Sequence, residues 1–207
     1  MYLPTMFKED RVERLHGFIR ASGLATLVTQ TQGGLIASHV PMLLDASPSP
    51  YGTLVGHVAR PNPQARGALG EALAIFQGAD AYITPSWYAT KRATGKVVPT
   101  WNYVAVHAYG TVEFFDDPAR LLDVVTRLTD RHEGRRSAPW AVADAPEEFI
   151  QGMLKGIVGF AIPVSRLEGK WKMSQNRPVE DRVGVVAGLG EEGEDAVAAL
   201  VNDSTRD

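Results

Sequence analysis

Hydrophobic residues recur at helical spacing in two parts of the chain, one near its start and one beyond its midpoint. Val12, Leu15 and Ile19 share one face of a helix, which predicts an amphipathic helix over 8–21. An Asp-Pro pair opens the second such segment, 117–133, as an N-cap and a first helical residue. Shorter helices are expected at 63–70, at 146–155 and from about 179 onward.

Alternation of apolar and polar residues predicts strands through most of the remaining sequence. These strands are expected at 24–30, at 35–44 after a glycine turn, from 54, at 98–115 and at 157–167. The segment 72–84 is interpreted as two short strands around Gly78, Ala79 and Asp80. Segment 85–96 is expected to be a functional loop or lid, and 169–177 a polar, basic stretch outside the core. Short antiparallel strands with peripheral helices predict an α+β fold built on a barrel or sheet.

Composition narrows the class of protein without identifying a partner. The 207 residues fit one domain or a domain with an appended subdomain, and the net charge of −3 favours no nucleic acid. The absence of cysteine excludes disulfides, thiolate catalysis and cysteine-held metals. With no signal peptide and no long apolar run, the sequence predicts a cytoplasmic protein that does not enter a membrane.

The stretch 54–64, LVGHVARPNPQ, is the first candidate for a binding site. It passes from a strand to a helix start, where Asn62 would be the N-cap and unpaired N–H groups would favour an anion. Arg60 and His57 precede that start, so the stretch predicts a phosphate site. The alternative is a plain strand-to-helix connection whose Arg and His are solvated.

Most familiar catalytic and metal patterns are missing from the sequence. The five histidines form no HxH or HExxH, although His39, His57 and His107 lie on expected strands and could converge. There is no GxSxG elbow, Walker A sequence or GxGxxG fingerprint, which disfavours serine hydrolysis, nucleotide hydrolysis and Rossmann-type dinucleotide binding.

Aromatic and cationic residues remain, grouped at 87–88, 101–103 and 170–172. A planar phosphorylated ligand such as flavin mononucleotide needs flat faces, hydrogen-bonding groups and cations of this kind. Single-stranded nucleic acid would use the same groups through stacking and phosphate neutralisation. Each tryptophan could equally be a residue of the core or of an interface.

Several long strings of the sequence together carry a resemblance to a known family. They are GHVARPNPQ (56–64), ALAIFQGADAYITPSWY (72–88), VPTWNYVAVHAYG (98–110), LKGIVGFAIPVSRLEGKWKMSQNR (154–177) and, more loosely, ATLVT and SHVPMLLD (25–29, 38–45). The chain resembles the PaiB-type proteins, described as FMN-binding negative transcriptional regulators. The resemblance implies a split β-barrel of the pyridoxamine-phosphate-oxidase type over 1–180, with a C-terminal helical segment and tail at 181–207. It also implies a homodimer that holds flavin near the subunit interface.

The same resemblance implies which residues would contact FMN. Thr26, Ser38 and His39 of the first hairpin would border the flavin. The phosphate and ribityl chain would be held by His57, Ala59, Arg60 and Asn62. The pocket would be completed, from the same or the other subunit, by Trp101, Asn102, Lys170, Trp171, Lys172, Gln175 and Arg177.

Three functions are compatible with these expectations. The first is a regulator whose flavin senses redox state or a metabolite. The second is a flavin-dependent oxidoreductase on the same scaffold, with His39 or His107 as candidate general acid. The third is a repressor that binds DNA directly, although no helix-turn-helix is evident. Its basic clusters, 91–96 and 131–136, lie in an acidic chain.

Overall fold

The computed structural model describes residues 1–47 and 49–204. The chain forms two compact units, one of Met1–Arg11, Gln77–Val106 and Glu168–Asp207 and the other of Val12–Phe76 and His107–Leu167. The expected boundary at residue 180 stays a prediction. Among the described residues, no helix has both the length and the apolar character needed to cross a membrane.

The described residues form strands, helices and short 3-10 turns. The strands are β1 (Lys8–Glu9), β2 (Ala25–Thr31), β3 (Gly34–Val40), β4 (Leu43–Asp45), β5 (Thr53–Ala59), β6 (Leu69–Ile83), β7 (Thr100–Thr111), β8 (Glu113–Phe115), β9 (Ile157–Pro163) and β10 (Arg166–Lys172). The helices are α1 (Val12–Ala21), α2 (Gln64–Gly67), α3 (Ala89–Thr94), α4 (Pro118–Glu133), α5 (Glu147–Leu154), α6 (Val179–Glu191) and α7 (Asp195–Asp203). The 3-10 turns are Thr5–Phe7, Pro85–Trp87 and Val142–Asp144. Of the expected C-terminal tail, 205–207 lie outside the described residues.

The second unit contains a hairpin and a complete four-stranded sheet. In the hairpin, β2 pairs antiparallel with β3, and β2 also pairs antiparallel with the first part of β6. The four-stranded sheet has the order β4-β5-β9-β8, again with antiparallel pairs. Its apolar core joins Leu43, Val55 and Ala161 of the sheet to Val124 and Leu128 of α4. Burial of these aliphatic side chains against one helix face stabilises the sheet.

Helix α4 confirms its expected start. Of the apolar stripe that the helical spacing predicts, Leu121, Val124 and Leu128 are buried and Val125 is half-buried. The Asp117 carboxylate accepts a hydrogen bond from the Arg120 N–H at 2.8 Å, as an N-cap should. In the last turn, Arg131 donates to the carbonyl oxygens of Met42, Arg20 and Ser22. These bonds connect α4 to the end of α1, so the Arg131 guanidinium has a structural role.

The first unit contains β1, β10, the later part of β6, the start of β7 and the C-terminal helices. Trp87 packs against α6, where a Cβ added at Gly188 would lie 2.2 Å from the Trp87 ring. The buried Asp181 carboxylate of α6 accepts from the Thr90 N–H at 2.8 Å. This bond satisfies one of the unpaired N–H groups at the start of α3, whose N-cap side chain makes no such bond.

Several predicted elements were wrong in extent, each for a local reason. The segment 72–84 belongs to one strand, β6, although its buried positions shift phase near Gly78, which explains the apparent break. The expected strand 35–44 ends at Val40, and β4 then joins the other sheet, because proline at 41 cannot donate to the ladder. Segment 8–21 begins as β1 and becomes helical only at Val12.

Other expectations failed because tertiary contacts outweighed local composition. The segment 85–96 is a 3-10 turn followed by α3 instead of an irregular loop. The strand expected at 157–167 ends at Pro163, and a separate strand, β10, extends into the first part of the segment 169–177 and ends at Lys172. Lys170 and Trp171 of that segment are buried, so 169–177 contributes to the core of its unit. The helix expected at 63–70 is the single turn α2, of 4 residues.

Candidate functional site

An open pocket of about 470 Å³ lies in the second unit, beside the ends of β3 and β5. Its volume is within the range of roughly 300–1,000 Å³ that small-molecule sites occupy. The residues that line it include Ser38, His39, His57, Ala59 and Asn62, all of which the sequence resemblance implied as flavin contacts. The structure therefore brings the hairpin and the 54–64 stretch to one surface.

Thr26 and His39 face each other across the β2–β3 hairpin. They are register partners, and the Thr26 hydroxyl lies 3.0 Å from Nδ1 of His39. Because one ring nitrogen is engaged by the threonine, the other nitrogen, Nε2, is the one that can face a ligand. The exposed His39 ring thus has a defined orientation at the pocket wall.

Asn62 connects the turn after β5 to the same hairpin. Its Nδ2 donates to the Ser38 hydroxyl at 2.8 Å, and its Oδ1 accepts from the Gln64 N–H at 3.0 Å. The amide therefore closes the turn before α2 and also holds a pocket hydroxyl in place. The N-cap position of α2 is Pro63, one residue later than the sequence predicted.

Gln64 anchors this turn to the β2–β3 hairpin, a role that the sequence did not predict. Its side chain is fully buried, and Nε2 donates to the carbonyl oxygens of Leu27 and Ile36 and to the Thr29 hydroxyl, at 3.0–3.2 Å. A glutamine directly after Asn-Pro, between apolar strands, was the available signal. The amide ties the turn to both strands of the hairpin.

His57 contributes a neutral imidazole to the pocket. Burial lowers the pKa of His57 below its ordinary 6.5, since desolvation disfavours the charged ring. Its Nδ1 is buried and has no hydrogen-bond partner within the described part of the chain. A ligand would therefore meet an uncharged ring with Nε2 as the accessible nitrogen, so His57 is not a ready-made cation for a phosphate.

The geometry of the turn differs from the phosphate site that the sequence predicted. The N–H groups of Arg60 and Asn62 donate to the carbonyl oxygens of Gly156 and Ala59, and that of Gln64 donates to the Asn62 side chain. Since α2 is only one turn, it also supplies little helix dipole. These N–H groups are therefore hydrogen-bonded within the protein and do not form a row of free donors for an anion.

Arg60 is not part of the lining of the pocket that holds His39 and His57. Its Nε donates to the Lys155 carbonyl at 2.6 Å and its Nη2 to the Ile157 carbonyl at 2.9 Å. Arg60 lines a different pocket, of about 310 Å³, together with Arg66 and Phe115. Its guanidinium stabilises the start of β9 in this structure.

Two of the predicted residues from the first unit form an exposed patch. The Trp101 ring is 54% exposed and meets Tyr82 edge to face, with ring centroids 6.0 Å apart. Lys172 donates to the Trp101 carbonyl oxygen and to the Thr100 hydroxyl. Burial and the nearby cations Lys170 and Arg177 lower the pKa of Lys172. The Trp101 face is available to a ligand or to another molecule.

The other predicted residues of this unit are engaged in its own structure. Asn102 is buried and donates to the Ser174 hydroxyl at 3.0 Å, while Lys170 donates to the Tyr2 carbonyl at 3.0 Å. The remaining side chains have similar internal roles: Trp171 is buried, Gln175 bonds backbone groups of Met173 and Trp171, and Arg177 lies 4.4 Å over the Tyr88 ring.

His107, considered as a candidate acid, lies apart from the pocket lining. Its Nδ1 is 3.4 Å from the Tyr109 hydroxyl, and the two rings tilt against each other. Within 1–47 and 49–204, no group of three or more His, Asp and Glu side chains could hold a metal ion. The histidines expected on strands thus converge only as the pair His39 and His57.

Antiparallel sheets with peripheral helices define the class of protein. It is an α+β split barrel, as the sequence predicted. The chain belongs to the family described as "Putative FMN-binding domain", whose sequence profile matches residues 1–166. The resemblance to PaiB-type proteins is thereby confirmed.

Curated relatives share most of the length of this chain. Protease synthase and sporulation protein PAI 2 of Bacillus subtilis is 36% identical over 194 residues, covering 93% of this chain and 90% of its own. An uncharacterised protein of Aspergillus fumigatus is 38% identical over 237 residues, covering 91% of this chain and 90% of its own.

Solved structures share the fold at low sequence identity. A conserved hypothetical protein of Mycobacterium tuberculosis superposes with a TM-score of 0.60 at 14% identity, covering 86% of this chain and 94% of that one. An FAD and heme binding protein of Mycobacterium smegmatis gives 0.58 at 18% identity, covering 80% and 73%. At such identities the likeness shows the architecture alone.

Proposed function

We propose that this protein binds a flavin, FMN, in the pocket beside β3 and β5. The observation that carries the proposal is the meeting of two hydrogen-bonded pairs, Thr26 with His39 and Ser38 with Asn62, at one pocket of about 470 Å³. Family membership supports the choice of flavin.

The lining suits the ring and the polyol of a flavin better than its phosphate. Ser38, His39, His57 and Asn62 offer uncharged donors and acceptors, which match the rim of an isoalloxazine ring and the ribityl hydroxyls. No lysine or arginine lines this pocket in the part of the chain described. FMN, when bound, would supply electron-transfer chemistry. The four polar residues of the lining would bind and orient it.

A second copy of the chain is proposed to complete the site. The lining of the pocket supports this proposal. A phosphate needs cations, and the described lining contains no lysine or arginine. The exposed Trp101 ring, beside Lys172, offers a stacking face and a charge that such a copy could present. A homodimer with flavin near its interface is therefore the expected assembly.

We further propose a regulatory role in the cytoplasm, with the flavin sensing redox state or a metabolite. Direct DNA binding is less well supported, because Arg131 of one basic cluster uses its guanidinium on the carbonyl oxygens of Met42, Arg20 and Ser22. A flavin-dependent oxidoreductase is the alternative on the same scaffold. Oxidation of NADH or NADPH by the flavin-loaded protein would favour that alternative.

The test is a titration of the purified, flavin-free protein into FMN, followed by quenching of flavin fluorescence. We expect saturable binding that weakens at least about tenfold in His39→Ala, a loss of about 1.4 kcal/mol. His132→Ala removes an exposed histidine outside the pocket and should bind as the wild type does. A protein that leaves FMN fluorescence unchanged would overturn the proposal.

A further inference from the structure

Another cavity, of about 520 Å³, lies in the second unit between α4, α5 and the 3-10 turn Val142–Asp144. Helix α4 presents Leu122, Thr126 and Asp130 to it, residues spaced one turn apart and therefore on one face. Helix α5 adds Glu147, Ile150 and Gln151. The flavin pocket shares none of these residues.

The walls of this cavity are mainly apolar. Leu122, Val142 and Ile150 are half-buried, so each leaves part of an aliphatic side chain facing the space. Alanines at 141, 143 and 145 line the connecting segment, and their small side chains leave the volume unfilled. An apolar group that entered would gain about 25 cal/mol for each Å² removed from water.

Two carboxylates are the charged groups of this lining. Neither Asp130 nor Glu147 makes a side-chain hydrogen bond or ion pair with another described residue. Other acids of the same unit are paired, for example Asp123 with Arg127 and Glu133 with Arg136. Asp130 also lies in the last turn of α4, where the helix dipole disfavours a carboxylate. Asp130 and Glu147 are both exposed, and neither is neutralised by a direct ion pair with another described residue.

We propose that this cavity binds a small amphiphilic amine, with an apolar body inside and one protonated amino group at Asp130 and Glu147. Charge complementarity selects the occupant: a cation gains charge-assisted hydrogen bonds, an anion is repelled, and a neutral molecule leaves the carboxylates unpaired. The apolar walls disfavour a second charge at the far end of the ligand. The site is independent of flavin binding.

The test is isothermal titration of the full chain with n-octylamine, with octan-1-ol, octanoate and 1,8-diaminooctane as comparison ligands. We expect saturable one-to-one binding of n-octylamine and an increase in the melting temperature. The alcohol and the diamine should bind at least about tenfold more weakly, and octanoate should show no binding. The result should be the same with and without FMN.

Substitutions that remove the charge but keep the size of the side chain test the site without disturbing the packing. Asp130→Asn and Glu147→Gln should each weaken n-octylamine binding about three- to tenfold, as expected for loss of a charge-assisted bond. Glu148→Gln, one residue along and outside the lining, should leave it unchanged. Unfolding curves of all three variants would verify that they remain folded.

Four outcomes would overturn the proposal. Equal affinities for octan-1-ol and n-octylamine would show that the carboxylates do not select an amine. Equal losses in Glu148→Gln would show a general surface-charge effect. A melting temperature that falls with n-octylamine would show preferential binding to the unfolded chain. Binding of a cationic amphipathic peptide in the absence of any amine binding would show a protein-docking groove instead.

Discussion

Asn62 donates its side-chain amide to the Ser38 hydroxyl at 2.8 Å, across a separation of 24 residues in the chain. The same amide accepts the Gln64 N–H through its oxygen. One side chain therefore fixes both the turn after β5 and the polar edge of β3, where the proposed flavin pocket lies.

Replacement of Asn62 separates these two roles. We expect Asn62→Ala to reduce the free energy of unfolding by about 1 kcal/mol through the lost cap, and to weaken flavin binding about tenfold through the freed Ser38. Asn62→Asp keeps the acceptor for the Gln64 N–H and can hold Ser38 only by accepting from its hydroxyl, so it should preserve stability and weaken flavin binding less than Asn62→Ala does. FMN titration and urea unfolding measure the two effects. Wild-type flavin affinity in both variants would contradict the role of this pair.

Arg60 tests whether a phosphate contact exists at the turn. Because its guanidinium already donates to the carbonyl oxygens of Lys155 and Ile157, we expect Arg60→Ala to lower the free energy of unfolding by about 1–3 kcal/mol. Affinities for FMN and riboflavin should fall by the same small factor. Arg66→Ala removes an exposed charge from the same neighbouring pocket and is the matched control. A loss confined to FMN would show that Arg60 turns toward the phosphate.

His57 should make the stability of the protein depend on pH. Burial lowers its pKa below 6.5, so the unfolded chain takes up a proton at a higher pH than the folded protein does. The contribution of His57 to stability is thus complete above about pH 6.5 and decreases as the pH falls toward the folded pKa.

As the pH falls below about 6.5, the free energy of unfolding of His57→Gln should therefore decrease less than that of the wild type. Urea unfolding at each pH measures this difference. His57→Phe also removes the titrating group and should show the same reduced slope. If the slopes of both variants matched that of the wild type, His57 would not be the titrating group.

Gly188 should be intolerant of a side chain because Trp87 lies against it. A Cβ there would approach the Trp87 ring to 2.2 Å, whereas a Cβ at Gly190 in the same helix meets no atom within 4 Å. We expect Gly188→Ala to destabilise the protein by about 1–3 kcal/mol through overpacking. Gly190→Ala should be neutral or stabilising by up to about 1 kcal/mol, since alanine favours helix. Chemical unfolding followed by tryptophan fluorescence would compare them, and equal stability of the two variants would contradict this packing.

Local sequence patterns were sufficient to predict the elements that are specified by residues close together in the chain. The cap at Asp117 and the apolar stripe identified α4, and the glycines before Leu35 identified the first hairpin. The stripe was predicted as Leu121, Val124, Val125 and Leu128. Those features depend on backbone conformation and on one buried face. Both leave a periodic trace in the sequence.

Part of the stretch 54–64 lines a pocket, but the contacts of its side chains depended on distant partners. The expected anion-binding helix start is a single turn whose N–H groups are satisfied internally, and Arg60 is directed to carbonyl oxygens near residue 156. No pattern within those residues could indicate which carbonyl groups the rest of the chain would bring nearby.

The sequence by itself determined the family and its split barrel through the resemblance to PaiB-type proteins, and it determined the main helix and the hairpin through periodicity, caps and turn residues. Only the tertiary structure decided that Lys170 and Trp171 are buried, that Gln64 anchors the pocket, and that Arg60 stabilises β9. A polar or charged side chain has several possible partners of similar energy. Which partner it finds is set by packing across the whole chain and leaves no local trace.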